Sequence, residues 1–327
     1  MEQLPDEPGW RFEPKWDGFR CIAVRAGETV DLWSRSGKPL GRYFPEVAAR
    51  LQGLASGHFT LDGELVVPTP EGLSFDALSQ RLHPAESRIR KLAAETPALL
   101  IVFDLLEEAD EDLRPLPLAE RRARLELFTR RNQVPVLHVS PQSEDREEAL
   151  GWLQRSGGAL DGVIAKRADQ PYRAGERAML KVKQHRTADC VVGGFRFDAK
   201  KPEVASLLLG LYDEAGLLNH VGFCASFKAA ERRAWTAELT PLIQAPGFTG
   251  DRPDKASRWA SERTAEWQPL RPEIVVEVRY DQVTGGRFRH GTRLLRRRPD
   301  KSPDQCRCDQ LRHPLSPIEL AELLEGE

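Results

Sequence analysis

The sequence predicts an α+β chain in two parts, a mixed domain over residues 1–185 followed by a small closed β-barrel over residues 186–327. Three observations predict it. Strand-like segments and amphipathic helices are interleaved up to about residue 186. Beyond Arg186-Thr187-Ala188-Asp189 the texture changes to about five short strands with one intervening helix. The length, 327 residues, is also too great for one small core and sufficient for two domains.

In chain order, Trp10 to Pro14, Phe19 to Arg25 and Thr29 to Trp33 read as strands, with Ser34-Arg35-Ser36-Gly37-Lys38 a short basic turn. The Asp17-Gly18 pair predicts a tight turn that brings Lys15 back toward the first strand. Phe44, Val47, Ala48, Leu51 and Leu54 recur at helical spacing. Phe59 to Val67 is an apolar strand interrupted by Asp62-Gly63. Its Glu64 needs a partner, a metal or a hydroxyl, because an acid in so apolar a run is rarely there for packing. Residues 74 to 94 read as helices broken at His83-Pro84, with Ser74 as N-cap. Ala98 to Leu106 is a second buried strand, carrying Phe103. Leu118 to Arg131 and Ser143 to Ser156 read as helices, and Gly157 to Lys166 as a glycine-rich turn feeding a strand. In Met179 to Lys183, alternation puts Lys181 and Lys183 on one face and Leu180 and Val182 on the other. The second part predicts strands at 190–197, 206–213, 217–223, 273–280 and 287–294. A helix is expected near 227–243 and an irregular stretch over 245–271.

Composition is that of an ordinary globular protein, with 40% hydrophobic and 30% charged residues. The net charge of −2 does not itself point to nucleic acid. The distribution is more telling: Arg287 to Arg312 carries nine Lys/Arg against three Asp/Glu. That suits a polyanion, although a solvated charged face is the usual meaning of one such run. The five cysteines are odd in number and scattered, and Cys306 with Cys308 lacks a second pair at zinc-finger spacing. No apolar run approaches the roughly 20 residues of a membrane helix, and the acidic N-terminus is not a signal peptide. A soluble, cytoplasmic protein with reduced thiols is expected.

The most specific chemical statement is Lys15-Trp16-Asp17-Gly18-Phe19-Arg20. A lysine of restricted motion and partial burial can serve as a nucleophile, because its ammonium is then harder to keep charged. Taken alone, the hexapeptide is equally a hairpin corner with a solvated lysine. In company it is not. Lys15-Trp-Asp-Gly-Phe-Arg20, Ser34-Arg-Ser-Gly-Lys38, Asp62-Gly-Glu64, Phe103-Asp104, Asp161-Gly-Val-Ile-Ala-Lys166 and Lys181-Val-Lys183 resemble, in order, the motifs of the covalent nucleotidyltransferases. Within that superfamily, Glu13-Pro-Lys-Trp-Asp-Gly-Phe-Arg20, His83-Pro-Ala-Glu-Ser-Arg88, Arg186-Thr-Ala-Asp-Cys-Val-Val192 and Arg271 to Asp281 make the chain similar to small bacterial ATP-dependent DNA ligases of the ligase C type. The resemblance runs from about Glu13 to Lys301.

It implies a nucleotidyltransferase domain of the ATP-grasp-like DNA ligase kind, followed by an OB-fold barrel. It implies that Lys15 attacks the α-phosphorus of ATP to form lysyl-AMP, that AMP passes to a DNA 5′-phosphate, and that the 3′-hydroxyl then seals the break. Lys181 and Lys183 would supply positive charge at the α-phosphate. Glu13 would lie near the adenine amino group, Phe103 would stack on adenine, and Arg20 and Glu64 would surround the ribose and metal-nucleotide site. Arg35 and Arg177 complete the implied nucleotide-binding set. Glu64 and Asp161 are the implied metal ligands, for Mg2+ with Mn2+ as its substitute. Arg298-Pro-Asp300-Lys301 resembles the final family motif, which orients pyrophosphate as leaving group. Nicked or broken duplex DNA is the implied partner, with a repair polymerase or end-binding protein beside it, for a monomer working at the nucleoid.

Three departures stand out. Asp161 occupies a position usually held by glutamate, Met179 one often held by tryptophan, and few residues precede Lys15. The last suggests weak intrinsic grip on nicked DNA. The other readings are an RNA ligase or GTP-using capping enzyme with the same lysine chemistry, and a non-catalytic nucleic-acid-binding relative.

Overall fold

The computed structural model describes residues 3–70, 72–156, 160–176, 178–184, 186–253, 266–311 and 317–325. The chain divides into two compact units, Met1–Gln184 with Pro314–Glu327, and His185–His313.

The first unit is built on two antiparallel sheets. Strand β1 (Trp10–Trp16) leads into β2 (Phe19–Ala26) and β3 (Thr29–Ser34). Helix α1 (Pro45–Gln52) follows, its Val47 and Leu51 fully buried, then β4 (His58–Val66). Helices α2 (Phe75–Gln80) and α3 (Glu86–Glu95) are separated at the expected His83-Pro84 break, and Ser74 caps α2 by accepting from the Ala77 N–H at 3.2 Å. Next come β5 (Leu99–Glu108), α4 (Leu118–Arg131), the short β6 (Leu137–Val139) and α5 (Arg146–Gln154). The last strands of the unit are β7 (Leu160–Arg167) and β8 (Met179–Val182).

The larger sheet runs β3-β2-β4-β5, with β6 added parallel to β5. The smaller runs β1-β7-β8. The sequence therefore misleads at Asp17-Gly18. These residues do not close a hairpin, because β1 pairs with β7 and β2 with β3 and β4. They carry the chain from one sheet to the other. Gly18 is needed there for space: a Cβ would lie 2.2 Å from the Leu65 carbonyl oxygen. One apolar core under the larger sheet includes Phe44, Leu61, Leu65 and Phe128. A second lies behind the smaller sheet around Trp152, Val163 and Val182, and it takes in Leu320 and Leu323 of the last helix, Pro317–Glu325. The division expected from chain order places that helix with the barrel. Its buried leucines join it to the first unit instead.

The second unit is a barrel. Its strands are β9 (Arg186–Phe197), β10 (Val204–Tyr212), β11 (Leu218–Cys224), β12 (Val275–Tyr280) and β13 (Arg293–Arg297). They hydrogen-bond in the order β11-β10-β9-β12-β13, and a bridge between Cys224 and Thr292 joins the two ends, as in an OB fold. Between β11 and β12 lies a helix, Ala229–Leu239. The expected strand at 287–294 is split. Arg287–Phe288 pairs locally with Val283–Thr284, while Phe288 turns in against Tyr280 with ring centroids 4.8 Å apart. The sheet strand begins only at Arg293.

Candidate active site

A cavity of about 930 Å3 opens in the first unit, lined from both of its sheets. Glu13 and Lys15 come from β1, Arg20 from β2, Glu64 from β4, Phe103 from β5 and Lys181 from β8; Arg35 and Lys38 enter from the turn after β3. The step at Asp17-Gly18 explains the convergence, since it lets one short stretch place Lys15 on the smaller sheet and Arg20 on the larger.

Lys15 is held rather than solvated. Its ammonium donates to Asp161 Oδ2, and Lys183 Nζ lies 2.8 Å from the same oxygen. Asp161 is nearly buried, with 9% of its side chain exposed, so a carboxylate flanked by two ammonium groups is the favoured arrangement. Gly162 makes this possible. Its φ is +130°, and a Cβ there would lie 2.2 Å from the Val182 carbonyl oxygen, so only glycine lets β7 approach β8 closely enough for Asp161 to meet Lys183. Lys181, on the opposite face from buried Val182, has its pKa lowered, first by desolvation and then by Lys15, Arg35 and Arg20.

On the other sheet, Arg20 is fixed by Asp62, the acid that opens the Asp62-Gly-Glu64 run and to which the sequence gave no role. Its Nε donates to Asp62 Oδ1 at 3.0 Å and its Nη2 to Asp62 Oδ2 at 2.5 Å. Tyr172 Oη donates to Asp62 Oδ2 at 2.9 Å and lies 3.1 Å from Arg20 Nη2. Burial works to lower the Arg20 pKa, but the Asp62 carboxylate more than offsets it and the net shift is upward. Asp62 is fully buried. Glu64 faces the cavity and makes no direct hydrogen bond or ion pair among the described residues; burial, opposed by Lys15, pushes its carboxyl up to about 8. The two acids of one Asp-Gly-Glu run thus have opposite duties, one anchoring an arginine and the other left facing open space.

Glu13 is buried and accepts from Lys166 Nζ at 2.6 Å and Gln142 Nε2 at 2.7 Å. Lys166 Nζ sits 4.5 Å from the Phe103 ring centroid, and the Arg20 guanidinium 5.9 Å from it. Phe103 is thereby an aromatic face edged with cations. Met179 also lines the cavity.

Of the residues expected at the nucleotide site, Glu13, Lys15, Arg20, Arg35, Glu64, Phe103 and Lys181 surround this cavity, with Asp161 and Lys183 bonded beside Lys15. Arg177 lies outside the described residues. Arg298, Asp300 and Lys301 belong to the second unit, at the end of β13. Asp62, Gln142, Lys166 and Tyr172 were given no role. Asp62 and Lys166 stand in the runs Asp62-Gly-Glu64 and Asp161-Gly-Val-Ile-Ala-Lys166, so a signal existed for both; Gln142 and Tyr172 reach the site only through folding. No group of three or more His, Cys, Asp or Glu placed to hold a metal occurs among the described residues.

Comparison with known proteins agrees with this geometry. The family model described as the ATP dependent DNA ligase domain matches residues 2–183, and that of the ATP dependent DNA ligase C terminal region matches residues 200–301. The chain is 46% identical to DNA ligase C1 of Mycolicibacterium smegmatis, over 99% of this chain and 95% of the relative. It is 30% identical to the multifunctional non-homologous end joining DNA repair protein LigD of Mycobacterium tuberculosis, over 90% of this chain but 37% of that longer protein. A solved structure of a Lig E DNA ligase shares the fold, with a TM-score of 0.51 at 18% identity, covering 91% of this chain and 98% of that one.

Proposed function

The chain belongs to the ATP-dependent DNA ligase family, and from that premise we propose how its residues divide the work of joining DNA in repair or end joining. Lys15 is the nucleophile. The observation that carries this is its contact with Asp161, an acceptor placed to take the proton the ammonium must shed before its lone pair can attack. A P–N bond to the α-phosphorus of ATP then forms as the P–O bond to pyrophosphate breaks. Lys181, which lines the cavity, and Lys183, bonded to Asp161 beside Lys15, offset the negative charge gathering on the α-phosphate. Phe103 supports the adenine ring, while Asp62 holds Arg20 toward the sugar and phosphates. Glu13, already engaged by Lys166 and Gln142, presents a fixed edge to the base. Arg35 contributes a further positive charge at the mouth.

A divalent cation fits the carboxylates present. Among the described residues Glu64 has no hydrogen-bond or ion-pair partner, and its carboxyl is raised by burial, a cost that a bound cation would relieve. Both lysines bond Asp161 through Oδ2, so Oδ1 is not taken by them. Mg2+ suits so sparse a protein donor set because it keeps water and substrate phosphate oxygens as its other ligands. It would supply charge neutralisation on the phosphates. We assign Arg298, Asp300 and Lys301 to the departing pyrophosphate, and the basic second unit to nicked or broken duplex DNA. No helix among the described residues is long and apolar enough to cross a membrane.

The test is mass spectrometry of the purified protein after incubation with ATP and Mg2+. A fraction heavier by one AMP is expected, lost on adding pyrophosphate and absent in Lys15→Ala. Transfer of α-phosphate label from ATP to Lys15→Ala protein would refute the assignment.

A further inference from the structure

The assignment of Arg298 and Lys301 to pyrophosphate leaves open what holds two flexible cations in the right place. In the second unit one side chain touches both. Asp189 Oδ1 accepts from Arg298 Nη1 at 2.8 Å and Asp189 Oδ2 from Lys301 Nζ at 2.7 Å. We propose that Asp189 is a positioning residue for the first chemical step, its carboxylate holding Arg298 and Lys301 as a matched pair of cations spaced to receive a diphosphate. This rests on the reading of that motif given above.

The geometry carries it in three ways. First, the carboxylate is itself immobilised. Asp189 lies within β9, paired to β12 at Glu277, and its backbone N–H donates to Gln310 Oε1 at 3.0 Å while its carbonyl accepts from Gln310 Nε2 at 3.2 Å. Only 13% of its side chain is exposed. Second, the other acids nearby do not do this. Asp300 is 61% exposed and bonds Arg298. Glu277 bonds Arg296 at 2.6 Å and stands 3.9 Å from Arg298. Third, the bonding leaves donors over. Arg298 spends Nε and one N–H of Nη2 on Asp300 and one of Nη1 on Asp189, so two of its five N–H groups remain. Lys301 spends one of three on Asp189.

The shared carboxylate keeps the two cationic nitrogens within two hydrogen bonds and one carboxylate of each other, close enough for both to contact a single diphosphate. Two side chains that would otherwise each lose rotamer freedom on binding are ordered in advance.

The experiment separates the steps of the reaction. Asp189→Asn keeps the shape and removes the charge. Its lysyl-AMP formation from ATP should slow on the order of tenfold or more, and the pyrophosphate concentration needed to reverse that step should rise. Its sealing of nicked DNA already carrying the adenylate, a step with no pyrophosphate, should fall far less. Asp189→Glu should recover part of the loss. Lysyl-AMP formation at the wild-type rate or faster in Asp189→Asn overturns the proposal, the faster result meaning that the carboxylate withholds the cations. An equal loss in both steps overturns it too, as a merely structural role. If Asp189→Asn does not fold, Asp189→Glu decides, since its longer arm should raise the pyrophosphate requirement and an unchanged requirement sinks the idea. Arg298→Ala is the control. Normal lysyl-AMP formation in that variant refutes the reading of the motif itself, whereas a defect there beside a normal Asp189→Asn refutes only the role of Asp189.

Discussion

Glu64 offers a test in which stability and function pull apart. In protein discharged of nucleotide with pyrophosphate and then freed of metal by a chelator, burial pushes the Glu64 carboxyl up to about 8 in the folded chain against an ordinary value of 4.5. The sign follows from proton counts. Between those two values the folded state holds a proton that the unfolded state has lost, so stability falls as pH rises, and the full penalty is reached above the folded value. Full ionisation would cost about 5 kcal/mol, at roughly 1.4 kcal/mol for each tenfold change in proton affinity, an upper limit because the side chain keeps some contact with solvent in the cavity. Of this, about 3 kcal/mol falls between pH 6 and pH 9. Glu64→Gln has no charge to bury. Its melting temperature, measured against wild type by calorimetry under chelating conditions, should gain roughly 5–10 °C more at pH 9 than at pH 6. The same variant should lose lysyl-AMP formation. An equal melting-temperature gap at both pH values would show that the carboxyl is not raised, and the case for Glu64 as the open cation ligand would fall with it.

Three other perturbations probe how the site is held. Asp62→Asn leaves Arg20 and Tyr172 without their buried anion, and should cost about 3–5 kcal/mol in thermal or urea unfolding while raising the KM for ATP with a smaller change in kcat. Gly18→Ala puts a methyl group against the Leu65 carbonyl oxygen, so the crossing between sheets must shift; lysyl-AMP formation should drop by on the order of 100-fold even in protein that remains folded by circular dichroism. Lys183→Met removes one of the two cations on Asp161, and single-turnover adenylylation should slow by on the order of 100-fold or more, with ATP binding by calorimetry little changed.

The chemistry of this protein was legible in short runs of sequence. Lys15 to Arg20, Asp62 to Glu64, Phe103, Asp161 and Lys181 to Lys183 are local patterns, and it is their order, through the family they resemble, that implies a nucleophile, an aromatic platform and a cationic rim. Helix α4 and the Ser74 cap were equally plain, because helical periodicity and capping are properties of neighbouring residues. What chain order could not state was which strand pairs with which. The Asp17-Gly18 turn signal suits a hairpin and a crossing alike, and only the pairing of β1 with β7 and of β2 with β4 decides between them. The grouping of the final helix with the first core was hidden for the same reason, since two buried leucines do not name the surface they cover.

The sequence by itself therefore determined the family resemblance, the candidate amine Lys15 and the presence of two bodies, because ordered motifs and changes of texture are written in residue identity and local spacing. Tertiary structure alone decided how the charges are distributed. It set Asp161 between two lysines, gave Asp62 to Arg20, left Glu64 facing the cavity and joined Asp189 to Arg298 and Lys301. An acid's role depends on what lies within a hydrogen bond of it and on how much water it has lost, and both are fixed only when distant strands come together.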